Sequence, residues 1–89
     1  MMPDVFVPIY DRAIRLTPRQ WEVAQLIVWG ETNKEIAHQL GIGVGTVDNH
    51  VHAIRDRCPM GWTWEGSLWR VLFAVAVREY QLAIAARTT

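Results

Sequence analysis

Apolar positions recur at helical spacing through most of this chain, and most densely from Thr32 to Arg57. There Ile36, Ala37 and Leu40 form one short stripe, and Val44, Val47, Val51 and Ile54 form a second at steps of three and four. Gly41, Ile42 and Gly43 separate them. Thr32 can cap the first of these helices, with Glu35 reaching back to the cap's backbone N–H. Gly41 stands where a helix end commonly needs a left-handed residue. If the valine stripe is buried, Gly45, Asn49, His52 and Asp56 fall on the outer face of the second helix, flanked by Thr46, Asp48 and Arg55.

The flanking stretches read in the same terms. From Leu16 to Gly30, Thr17 caps a helix, Pro18 takes its first position and Gln20 completes a capping box. Leu16 can staple onto the first turn. Val23, Leu26 and Ile27 make the buried stripe, with Trp21 and Trp29 beside it, and Gly30 ends the helix. Pro59 stops the third helix at about Arg57. A long fourth helix is expected from Thr63 to about Ala85, with Thr63 as cap and Glu65 in its first turn. Leu68, Leu72, Val75, Tyr80 and Leu82 run along it, with Trp69, Phe73, Ala76 and Val77 between them. Apolar residues lie nearly all round, so one face should pack on the first helix and another on a second copy of the chain. Trp69, Leu72, Phe73, Ala76 and Tyr80 are the expected dimer contacts. Residues 1–15 read as an arm. Val5, Val7 and Ile9 alternate with Phe6, Pro8 and Tyr10, but two prolines argue against a helix and weaken a strand. The expectation is an extended arm with a helical turn at Asp11 to Ile14. It either packs Phe6 and Tyr10 on the domain or brings Arg12 and Arg15 to phosphates. Residues 16–89 form the domain proper.

A helix, a tight glycine-containing turn and a helix with a polar outer face make a helix-turn-helix, whose second helix enters the DNA major groove. The charge balance changes that picture. The 89 residues carry nine Lys plus Arg and nine Asp plus Glu. Between residues 17 and 57, Arg19, Lys34, Arg55 and Arg57 face Glu22, Glu31, Glu35, Asp48 and Asp56. Non-specific DNA affinity comes from cations that neutralise phosphates, so a DNA reading must rest on where charges sit. One cysteine, Cys58, excludes an internal disulfide framework. No charged stretch followed by an apolar run marks a secretory signal, and the expected compartment is the cytoplasm. The most apolar segment, Leu68 to Val77, is interrupted by Arg70 and ended by Arg78 and Glu79, too short and too charged for a bilayer. With 51% hydrophobic residues and five Trp in so small a domain, some apolar surface should face a partner.

The residues from Leu16 to His50 resemble the DNA-binding domain of the LuxR/GerE family of bacterial transcription regulators. The matching pieces are Leu16-Thr17-Pro18-Arg19, Glu22-Val23, Gly30, Thr32-Asn33-Lys34-Glu35-Ile36-Ala37, Leu40-Gly41-Ile42, Gly45-Thr46-Val47 and Asn49-His50. The resemblance implies an all-α, four-helix domain: a scaffold, a positioning helix, a recognition helix over Val44–Arg57 and a long C-terminal helix that commonly dimerises. It implies sequence-specific binding of double-stranded DNA and transcription regulation by a homodimer. After His50 the chain departs from the family, which usually continues into a basic stretch ending in Leu-Gly.

Within that frame, phosphate contacts fall to Lys34 above all, then Thr32, Asn33 and Thr46 at helix starts, with Arg19, Arg55 and Arg57 completing a clamp. Base reading falls to Asp48, Asn49 and His52. Asn49 can bond adenine at two points, and His52 can donate to guanine. Similar proteins usually carry a basic residue where Asp48 stands. A carboxylate there accepts only from a cytosine amino group and repels phosphate. Glu22 should pair with Arg55 or Arg57. No catalytic set stands at readable spacing, and no enzyme activity or cofactor is expected. His50 and His52 point about 200° apart on a helix and cannot chelate one metal. The rival reading is a protein-interaction module that pairs with or antagonises a related regulator.

Overall fold

The computed structural model describes residues 2–9, 12–58 and 68–87. Two strands, β1 (Val5–Ile9) and β2 (Arg12–Leu16), precede four helices: α1 (Pro18–Val28), α2 (Asn33–Leu40), α3 (Val44–Arg57) and α4 (Leu68–Arg87). The fold is helical as expected, with a small antiparallel hairpin added at its start.

The helix boundaries follow from local chemistry. At α1, the Thr17 hydroxyl accepts from the Gln20 N–H and the Gln20 side chain accepts from the Thr17 N–H, a complete capping box, with Pro18 in the first turn. Thr32 and Glu35 repeat the arrangement at α2. That helix ends on Gly41 at φ 66°, a left-handed conformation that costs a glycine little. Gly43 then caps α3 with no side chain bonded to its first turn.

The hairpin corrects the reading of the arm. Arg12 to Ile14 are strand, not a helical turn, and Asp11 lies outside the described residues. Val5 pairs with Leu16, Val7 with Ile14 and Pro8 with Ala13. Each strand of a two-stranded sheet keeps one open edge, so a proline there need not break the ladder. Val7, Ile9, Ile14 and Leu16 turn inward and are buried, whereas Phe6 is 59% exposed. The inward residues are thus Val7 and Ile9, not Phe6, and Tyr10 lies outside the described residues. Arg15 is paired with Asp4 across the strands.

One core joins all elements. Val23, Ala24 and Ile27 of α1, Ile36 and Ala37 of α2, and Val47, Val51 and Ile54 of α3 meet the hairpin's inward residues. α4 lies against α1 and β1 and contributes Trp69, Phe73, Ala76 and Val77, all buried. Trp69 and Phe73 pack with ring centroids 5.8 Å apart, and Tyr80 meets the Trp21 ring edge-on at the same distance. This corrects the dimer assignment: Trp69, Phe73 and Ala76 are interior residues of the monomer, and Leu72 and Tyr80 are half-buried against that core. The hairpin supplies the cover that helices alone lack. The α4 surface left open is Val71, Val75, Leu82 and Ile84, with Trp29 of the α1 end 76% exposed. Residues 59–67, which include Pro59, the expected cap Thr63 and Glu65, lie outside the described residues; α4 itself runs on to Arg87. No described helix is long and apolar enough to cross a membrane.

Cys58 closes α3 from within. Its thiol is buried, donates to the Ile54 carbonyl at 3.4 Å, and is pushed up to about 12 by burial. The unfolded chain ionises this thiol first as pH rises, so its contribution to stability is intact below about pH 9 and is lost toward pH 12. At pH 8 the folded chain should resist iodoacetamide and label rapidly only in denaturant, as read by intact mass. Fast labelling of the folded chain would contradict this packing.

Candidate nucleic-acid interface

Burial of Val47, Val51 and Ile54 fixes the roll of α3. A residue every 100° then puts Gly45, Asn49, His52 and Asp56 opposite the core, and all four are exposed. No described residue covers this edge. It measures about three turns, enough to lie along a major groove. Its inner end is smooth: Gly43 and Gly45 carry no side chain, and Thr46 presents a hydroxyl beside them.

The opening of α2 lies beside α3. The Thr32 hydroxyl accepts the Glu35 N–H at 3.2 Å, and the Thr32 N–H donates to Glu35 at 2.8 Å. The backbone and hydroxyl of Thr32 hold the exposed Glu35 carboxyl below its usual range. Lys34 stands exposed at this opening and among the described residues pairs with no carboxylate. The first-turn amides around it point out of the helix, the geometry that receives an anion.

Two expected contacts are engaged elsewhere. Asp48 is half-buried, and its carboxylate accepts from the Asn33 side-chain amide at 2.8 Å. The Asn33 carbonyl end accepts from Arg70 of α4 at 2.9 Å, and Arg70 also donates to the Glu31 carbonyl at 2.9 Å. Both ends of the Asn33 side chain, expected to contact phosphate, are therefore hydrogen-bonded within the protein. Asp48, expected to read bases, is turned toward α2 by its bond from Asn33. Of the three proposed base readers, Asn49 and His52 remain on the open edge.

The cations divide similarly. Arg19 is paired with Glu22 one turn along its own helix at 3.0 Å, so Glu22 has a partner beside it rather than only across on α3. Arg57 donates to the Ala53 carbonyl at 3.0 Å and caps the end of α3. Arg55 is half-buried on the flank that also holds Asp48. Thr46 thus stands beside the glycines of the edge and Arg57 at the end of α3, while Lys34 is exposed in the first turn of α2. The residue that sequence reasoning missed is Arg70. Its one signal was a cation interrupting the most apolar segment of the chain, which reads first as a barrier to membrane insertion.

A family model described as bacterial regulatory proteins, luxR family, matches residues 15–58, which run from the end of β2 through α3. The chain is 38% identical over 55 residues to the transcriptional regulatory protein DesR of Bacillus subtilis (strain 168), across 62% of this chain and 28% of DesR. It is 34% identical over 67 residues to the transcriptional regulatory protein LnrK of the same organism, across 75% of this chain and 30% of LnrK. The chain thus spans under a third of the length of either relative. No solved structure matches it significantly.

Because the Thr32 cap both starts α2 and orients the amides near Lys34, Thr32→Ala should cost about 1 kcal/mol in urea unfolding. A cost near zero would mean that the opening of α2 is held by something else.

Proposed function

Residues 15–58 being a helix-turn-helix domain of the luxR family of bacterial regulatory proteins, we propose that the chain binds double-stranded DNA in sequence-specific fashion and regulates transcription, with α3 in the major groove. The observation that carries this reading is the open outward edge of α3, which presents Gly45, Asn49, His52 and Asp56 to solvent with Thr46 beside it. The match to DesR and LnrK, each named a transcriptional regulatory protein, supports it. Asn49 and His52 read bases, with Asn49 suited to adenine. Lys34, Thr46, the α2 amides and the Thr32 hydroxyl hold phosphate, and Arg55 and Arg57 contact the backbone at the far end. With its net charge at zero, the domain relies on these placed contacts rather than on a broad basic field. Bacterial DNA lies in the cytoplasm, and the protein acts there.

The active form is a homodimer built on the α4 surface that the monomer leaves open. Val71, Val75 and Leu82 lie on one line of that helix, and Trp29 flanks Val75 across a groove also lined by Val28 and Ala74. An apolar face of this kind on a small domain marks an interface. Two recognition helices related by a two-fold axis would read half-sites about 34–36 Å apart. The alternative use of the same face is pairing with a related luxR-type regulator, which the low net charge favours.

Selecting duplexes from a random pool tests the first reading. A specific binder enriches a two-fold motif and shows a negative log-salt slope; an interaction module enriches nothing. On a selected duplex, Lys34→Ala should weaken binding uniformly across sequences and reduce the salt slope by about 1. Asn49→Ala should cost about 1–3 kcal/mol and relax preference at one base pair; a uniform loss would refute base reading. Val75→Glu should leave the fold intact and abolish self-association in sedimentation. An unchanged dimer would move the interface elsewhere.

A further inference from the structure

Arg70 sits in the first turn of α4, on the opposite side of the polar cluster from α3, and touches none of the outward edge. It nevertheless ends a continuous chain that reaches the recognition helix. Its guanidinium donates to the Asn33 carbonyl oxygen and to the Glu31 carbonyl, each at 2.9 Å, and the other end of the Asn33 amide donates to Asp48 at 2.8 Å. The amide bridges a cation and an anion, its carbonyl toward the one and its amino group toward the other. The reverse orientation would set donor against donor and acceptor against acceptor. Charge-assisted bonds at both ends of one dipole strengthen each other. Partial burial of Arg70 keeps water from competing, and it lowers the guanidinium's pKa while leaving it a cation at neutral pH.

The consequence bears on Asp48, which follows Val47 on α3 and precedes Asn49. Swung outward, its carboxylate would stand beside Asn49 and His52 and repel the phosphates that Lys34 attracts. We propose that Arg70 is a positioning residue for DNA binding: acting through Asn33, it draws the Asp48 carboxylate off the outward edge of α3 and offsets its charge, so that an acidic recognition helix can approach a duplex. The role rests on the DNA-binding reading above. It also ties α4, the helix with the open apolar face, to the orientation of α3, since Arg70 shares a groove with Val71, Ala74 and Val75.

The test is a double-mutant cycle on the full chain with a selected duplex. Arg70→Met keeps the apolar stem and removes the charge and the donors. It should weaken binding about tenfold, the scale expected for residues in one hydrogen-bond network. Adding Asp48→Asn should restore affinity to within about threefold of the parent, and should raise affinity by a larger factor in the Arg70→Met background than in the parent. A merely structural loss would not be rescued by removing a negative charge. In the DNA-free chain, Arg70→Met should also shift the Asn33 side-chain amide resonances and speed their exchange. Should Arg70→Met fail to fold, Arg70→Lys retains the cation without the fork that spans two acceptors, and the same rescue by Asp48→Asn is expected. Parent-like affinity in the Arg70 variants, a loss that persists with Asp48→Asn, or unchanged Asn33 resonances would each overturn the role. A parent that binds no duplex would overturn the DNA reading and this role with it, even if the resonances shift.

Discussion

Three side chains, Val47, Val51 and Ile54, decide which way the third helix faces. They are buried against α1 and α2, and their spacing leaves the helix no other roll that hides them. Each contributes on the order of 1.5–3 kcal/mol by leaving water, so turning α3 about its axis would expose several kcal/mol of apolar surface. The polar edge is therefore presented to solvent as a by-product of core packing, with no dedicated contact needed to aim it. The tight turn at Gly41 to Gly43 makes this possible, since it lets two short helices share one apolar seam.

Around that seam the remaining elements supply cover. The hairpin closes one side of the core with Val7, Ile9, Ile14 and Leu16, and α4 closes another with Trp69, Phe73 and Val77. The polar chain from Arg70 through Asn33 to Asp48 crosses the boundary between α4 and the helix-turn-helix, adding directional bonds to the apolar packing there. Three acidic residues near the candidate interface are held by neighbours, Glu22 beside Arg19, Glu35 within its capping box and Asp48 through Asn33, while Asp56 stays exposed at the far end of the edge. This local disposal of charge suits a domain whose net charge offers no general attraction to DNA.

The parts of this arrangement that depend on near neighbours in sequence were legible. Thr17 with Gln20, Thr32 with Glu35 and the left-handed Gly41 act within one turn, and Val47, Val51 and Ile54 of the α3 stripe need only their own period, whereas Val44 at its start is 43% exposed. What depends on distant partners was not. The alternation at Val5, Val7 and Ile9 was visible, but Pro8 argued against a strand because pairing with residues 12–16 could not be seen. Long-range packing also decided α4: Trp69 and Phe73, read as dimer contacts, lie in the monomer's core. Asp48 and Asn33 were read one at a time as groove and phosphate contacts, and the pairing between them joins positions fifteen residues apart. Arg70 lies 37 residues beyond Asn33, and no periodicity links such positions.

The orientation of α3 toward DNA is open to one direct measurement, an amide chemical-shift map of the labelled chain titrated with a duplex chosen by selection. The largest changes should fall at Gly45, Asn49 and His52 and at the start of α2, with the buried residues of α1 and the hairpin little affected. Changes confined to the open face of α4, with α3 silent, would contradict the account.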